Sequence, residues 1–153
     1  MFETALVAFM TFFATVGPVD VAAIFAALTP KATTKERRAM AVKGVAIATL
    51  LLLIFIVFGN AILVPLGITL PVLRTAGGIL LLLVAIDMVF ARHSGIASTT
   101  LDETKEAAAK TDISVFPLAT PLLAGPGALG AAILLSATAE GDFLGKMIII
   151  ATM

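Results

Sequence analysis

The chain has 153 residues, 60% of them hydrophobic and 13% charged, and its ten basic and ten acidic side chains give a formal net charge of zero. Soluble domains are nearer about 45–50% apolar and about 25% charged, so this composition, with a mean hydropathy of +1.13, reads as a membrane protein. The lack of cysteine excludes a disulfide framework and thiol chemistry, and no basic patch offers a footing for nucleic acid.

The first apolar run starts at Phe2 without the positive n-region of a cleavable signal, and it continues through Gly17-Pro18. It therefore reads as a retained first helix. A spanning helix needs about 20 mostly apolar residues. Helix one is expected over Phe2–Leu28, broken near Gly17-Pro18 and stopped by Thr29-Pro30. Thr33 and Glu36 have capping-box spacing and start helix two, which is expected to end near Gly59. Residues 60–69 form a short apolar connection with Pro65 and Gly67 as turn formers. Thr69 and Pro71 suit the start of helix three, expected to run to about Ala91.

Residues 93–112 are the one soluble-looking stretch. Within it, residues 101–110 read either as a short surface helix, supported by a Glu106–Lys110 pair, or as a solvated linker. Helix four is expected over residues 113–138, broken at Gly125-Pro126-Gly127. Helix five starts near Phe143. From there to Met153 a helix rises only about 16 Å, roughly half of a 30 Å hydrocarbon core. The chain is accordingly expected to be a piece of a longer protein.

Lys and Arg sort the connections. Lys31, Lys35, Arg37, Arg38 and Lys43 flank the first, and Arg92, Lys105 and Lys110 the third; Arg74 and Lys146 alone fall on the other side. The positive-inside rule then makes those two connections cytoplasmic and puts the N-terminus outside. Helices one and four run in opposite directions, and both are broken. This predicts an all-α polytopic protein with an inverted repeat of three helices each. The first repeat is expected over residues 1–92 and an incomplete second one over residues 113–153, about 50 residues short of completion. The whole chain forms a single membrane domain in the bilayer.

Breaks of this kind survive at membrane depth only where protein or a wet cavity satisfies the freed backbone groups. They mark Gly17, Pro18, Pro121, Gly125, Pro126 and Gly127 as candidate substrate-site residues, unless the kinks serve packing alone. Thr15 and Thr120 lie beside the breaks and either line the cavity or bond their own backbone. Asp20 is a carboxylate at membrane depth, which costs about 2.5–3.5 kcal/mol on insertion scales. It serves either as a substrate or proton site, or as the N-cap of the second half-helix. Asp87, near the inner end of helix three, either couples an ion or reaches the headgroups. The single histidine, His93, has no neighbours at metal-ligand spacing, and no Walker loop or nucleophile motif appears, so neither metal, cofactor nor enzymatic activity is expected.

With these residues in view, the chain resembles the MarC family of integral membrane proteins. The likeness is carried by residues 115–135, VFPLATPLLAGPGALGAAILL, by residues 74–88, RTAGGILLLLVAIDM, and by residues 25–29, FAALT. The family pattern Asp-Pro-x-Gly-x-x-Pro in helix one is altered. Gly17 stands at the Asp, Pro18 is kept, Asp20 stands at the Gly and Ala23 at the second Pro. The resemblance implies a secondary transporter of the bacterial inner membrane that exports small neutral amino acids. A zwitterion would sit between the two breaks, its carboxylate at a half-helix N-terminus and its ammonium at unwound carbonyls or Asp20. A passive channel and a non-transporting membrane scaffold are the rival readings.

Overall fold

The computed structural model describes residues 2–90, 112–139 and 141–153; the surface helix or linker expected over residues 101–110 lies outside the described residues. Every element within that set is helical, as the composition and the apolar runs lead one to expect.

Helices α1 (Phe2–Val16) and α2 (Pro18–Leu28) meet at Gly17. Gly17 has φ 59° and ψ 57°, the left-handed region that glycine enters without Cβ strain. The break is nevertheless a mild one. The Gly17 N–H donates to the Phe13 carbonyl at 3.1 Å and the Val21 N–H donates to the Gly17 carbonyl at 2.9 Å. These bonds close the last turn of α1 and the first turn of α2 on either side of Gly17, and Phe2–Leu28 remains one apolar stretch of 27 residues. At its far end the Thr29 hydroxyl and N–H both donate to the Phe25 carbonyl. The Arg37 guanidinium donates to the Thr29 carbonyl through Nε and Nη2, a cation placed on the negative end of α2.

Helix α3 (Thr34–Leu63) opens on the capping box. The Thr33 N–H donates to Glu36 Oε2 at 2.8 Å, and the Glu36 N–H donates to Thr33 Oγ1 at 3.3 Å. The helix ends later than Gly59. A glycine inside a packed apolar helix costs about 1 kcal/mol, which does not stop it. The stop comes at Gly67, with φ 67°. There the Ile68 N–H reaches the Leu63 carbonyl at 3.1 Å and the Gly67 N–H the Val64 carbonyl at 3.0 Å, the paired bonds of a Schellman motif. Helix α4 (Leu70–Val89) follows at once, beginning between Thr69 and Pro71 as expected.

The expected fourth helix is the largest departure. Its first half, α5 (Ser114–Leu123), is wide and irregular, with extended backbone at Phe116 (φ −129°, ψ 127°) and Thr120 (φ −134°, ψ 129°). Each extended residue precedes a proline, Pro117 or Pro121, whose ring disfavours the helical conformation one residue upstream. The break at residues 125–127 lies where it is expected, but Pro117 and Pro121 also deform the segment before it, so the first half is not the regular helix expected there. The Leu118 and Ala124 N–H groups reach back five residues, to the Ile113 and Ala119 carbonyls. After Ala124-Gly125 the regular helix α6 (Pro126–Thr138) begins, bent by 56° from α5. Helix α7 (Phe143–Thr152) starts where expected.

Helix α6 is central. It packs on α1, α3, α4 and α7, while α5 packs on α2 and α3. Its buried positions are small, including Gly127, Ala128, Ala131 and Ala132, so neighbouring backbones come close. The buried Ser136 hydroxyl donates to the Ile56 carbonyl and ties α6 to α3. Outward-facing apolar side chains such as Phe9, Met10 and Phe13 on α1 are left exposed, as a lipid-facing surface requires. Among the described residues, Phe2–Leu28 and Thr34–Gly59 can each cross a membrane by length and composition, and the bent pair α5–α6 passes the same test as one broken span or as a re-entrant loop.

Candidate functional site

The pairing of half-helices sets the geometry of the breaks. The first half of span one, α1, lies against α6, the second half of the bent span; α2 lies against α5, the first half. The two spans are therefore antiparallel, with their breaks at a common level. Side chains beside the breaks meet there. Phe12 is buried in a cluster with Ala119, Ala124 and Ala128, and Val16 packs on it. Val21 is buried with Leu118 and Leu122.

The two breaks share one local design. Gly17 is the N-cap of α2 with Pro18 in the first turn, and Gly125 is the N-cap of α6 with Pro126 in the first turn. Neither N-terminus receives a side-chain cap. The Val21 and Leu129 N–H groups each close the first turn on the glycine carbonyl, at 2.9 Å in both. Because the spans are antiparallel, α2 and α6 leave this level in opposite directions. Both positive dipole ends consequently converge on the break level, an arrangement that favours an anionic group.

The glycines differ in what they permit. Gly17 supplies a left-handed φ, whereas Gly125 is extended (φ −80°, ψ 173°) and supplies space. A Cβ on Gly125 would collide with the Pro121 carbonyl oxygen. Pro121 is half-buried and Gly127 buried, while Pro18 and Pro126 are exposed.

Other expected site residues stand apart. Asp20 is in the first turn of α2, three residues beyond the cap, and makes no capping bond; the N-cap position belongs to Gly17. The N-cap alternative for Asp20 is thereby corrected: an αL turn at Gly17 already starts the helix. Val21, Ile24 and Phe25 make the contact with α5, while the Asp20 side chain is exposed beside that contact. Both threonines spend their hydroxyls locally. Thr15 donates to the Thr11 carbonyl at 2.8 Å, and Thr120 donates to the Val115 carbonyl at 3.4 Å. The side chain of Asp87 lies outside the described residues.

Two residues that the sequence reading left unmarked support the irregular half. Asp112 accepts hydrogen bonds from the Ser114 N–H (2.9 Å) and the Ser114 hydroxyl, and it pairs with Lys43 of α3 at 2.7 Å. The Lys43 ammonium, then the Ser114 donors, hold its carboxyl well below the usual carboxylate range. The local signal is an Asp two residues before a Ser, the spacing of an Asx turn. Beside Lys43, Gly44 lets α5 approach: a Cβ there would come within 2.5 Å of Leu118 Cδ2 and 3.0 Å of the Ser114 carbonyl oxygen. Neither signal identifies its partner across the α3–α5 contact, because that contact spans the whole middle of the chain. Among the described residues no three His, Cys, Asp or Glu side chains gather as a metal site would require.

Relatives place this arrangement in a family. Residues 2–153 match the model of the MarC family of integral membrane proteins. The chain is 38% identical over 141 residues to the UPF0056 membrane protein YvbG of Bacillus subtilis, covering 92% of this chain and 67% of that protein. It is 39% identical over 145 residues to the UPF0056 membrane protein MJ1677 of Methanocaldococcus jannaschii, covering 95% and 69%. Against the UPF0056 membrane protein YhcE of Escherichia coli the identity is 34% over 125 residues, covering 82% and 58%. No solved structure matches the chain. With two apolar spans and a bent apolar pair among the described residues, two glycine-proline breaks and a family match along nearly its full length, the chain belongs to the MarC family of integral membrane proteins.

Proposed function

We propose that this chain forms most of a secondary transporter of the inner membrane that exports small neutral amino acids by alternating access. One observation carries the reading: two uncapped half-helix N-termini, at Gly17-Pro18 and Gly125-Pro126, converge on one level of two antiparallel spans. The substrate carboxylate is bound at these N-termini. The ammonium is bound by carbonyls of the irregular segment α5 or by Asp20, the exposed carboxylate in the first turn of α2. Asp20 or Asp87 carries a coupling proton. The N-terminus is outside, and the two broken spans belong to inverted repeats that rock against each other around the site. The chain acts as a carrier, with no chemical step and no cofactor.

The test is counterflow in proteoliposomes holding the full-length protein, with radiolabelled alanine and glycine. Exchange that saturates, is accelerated by internal substrate and is lost in Gly125→Leu supports the carrier. Flux that rises linearly with concentration replaces it with a channel. No flux from folded protein leaves a scaffold. If Asp20 carries the proton, Asp20→Asn flattens the pH profile of exchange; an unchanged profile removes it from that role.

A further inference from the structure

Five cations flank the α2–α3 connection, and the structure separates them into two groups. Arg37 is spent inward on the Thr29 carbonyl, and Lys43 is spent on Asp112. Lys31, Lys35 and Arg38 are exposed and have no ion pair or hydrogen bond among the described residues. The one acid of this stretch, Glu36, closes the capping box with Thr33.

The free group has a defined place on α3. Positions 37, 40, 44, 48, 52 and 56 face the interior, being buried or half-buried. Positions 35, 38, 42, 45 and 49 recur at alternating steps of three and four and are all exposed, so they share one outward stripe. Val42 is 63% and Val45 52% exposed within Thr34–Gly59, a helix long and apolar enough to cross a membrane, which suits a stripe turned toward lipid tails. Lys35 and Arg38 continue this same stripe by about one to two turns, roughly 6–10 Å along the axis. A cation there stands at the level of the headgroups, with its stem free to lie along the apolar stripe. Lys31 adds a third from the connection itself.

We infer that Lys31, Lys35 and Arg38 form a docking surface for the phosphate groups of anionic phospholipids. The occupant follows from charge and position together: three cations with no ion pair among the described residues, at the polar end of an exposed apolar stripe, meet headgroup phosphates. Arg37 and Lys43 take no part, because their donors are already engaged inside the protein.

The test uses the whole protein reconstituted in mixed phosphatidylglycerol and phosphatidylcholine vesicles, with spin-labelled lipids reporting the association preference. At low salt the protein favours phosphatidylglycerol. The preference falls about fivefold for each cation removed in Lys31→Gln, Lys35→Gln and Arg38→Gln and their combination. It also collapses in the unsubstituted protein when salt is raised to about 1 M, where the Debye length is about 3 Å. Arg37→Gln keeps the preference. A protein without the preference at low salt overturns the inference, and so does a salt-insensitive preference. Equal loss in Arg37→Gln, or full retention in the single variants, overturns it as well. The salt series decides the matter even if the triple variant does not fold.

Discussion

Gly17 and Gly125 occupy matching places but are glycine for different reasons, and substitution separates them. At Gly17 the need is a left-handed φ, which costs an alanine about 1–2 kcal/mol and an asparagine less. Thermal melts of the purified protein are expected to rank the wild type above Gly17→Asn, and Gly17→Asn above Gly17→Ala. Asn and Asp are the non-glycine side chains that best tolerate this conformation. At Gly125 the need is room for the Pro121 carbonyl, so Ala and Asn are both expected to destabilise, by about 1–3 kcal/mol. Equal melting of Gly125→Ala and wild type would show that the Pro121 carbonyl gives way freely. Asp112 adds a pH dependence of known sign. Its carboxyl is held low in the fold by Lys43 and Ser114, so its contribution is present above the unfolded value near 3.8 and is lost as pH falls through the lower folded one. Its side chain is half exposed, so the contribution at neutral pH is at most about 1 kcal/mol. Asp112→Asn is expected to lower the melting temperature slightly at pH 7 and to narrow its gap to wild type below about pH 4.

At the scale of elements, what the sequence discloses depends on whether the signal is local. The capping box at Thr33 and Glu36, the Thr69–Pro71 start and the breaks at Gly17-Pro18 and Gly125-Pro126 all act within four residues, and each is found where it is expected. Gly59 misleads because it resembles a stop; it is a packing position, where a Cβ would lie 3.5 Å from Ile133 Cγ2 across the α3–α6 contact. The irregularity of α5 is local too, since Pro117 and Pro121 each act on the residue before them, but the attention drawn by Gly125-Pro126-Gly127 hides it. The Lys43–Asp112 tie and the close approach at Gly44 are legible only once α3 and α5 are side by side. Ser136 belongs to the same class: a lone hydroxyl on an otherwise apolar face announces a bond, yet only packing reveals the Ile56 carbonyl as its partner. Ser136→Ala is expected to cost about 0.6 kcal/mol, and at most about 1.7 kcal/mol, in a denaturant titration in detergent or bicelles.

The whole molecule adds a topology that can be measured directly. With no native cysteine, single-cysteine variants report sidedness without background. If the N-terminus is outside, a membrane-impermeant maleimide applied to intact cells labels Val64→Cys, in the exposed turn after α3, and leaves Lys31→Cys unlabelled; inverted vesicles give the reverse. The opposite pattern would turn the orientation over while leaving the antiparallel pairing of spans intact.

Helix α3 lies along both arms of the bent span and is itself unbroken over 30 residues. It therefore works as a splint, and its two lashings are unequal. On the α6 arm the knot is a buried hydroxyl-to-carbonyl bond among small side chains. On the α5 arm it is an ion pair that water already reaches, beside Gly44, where Leu118 seats close against the α3 backbone. Of the two ties only the ion pair is open to water, so salt and acid act on the α5 arm and leave the buried bond of the α6 arm untouched.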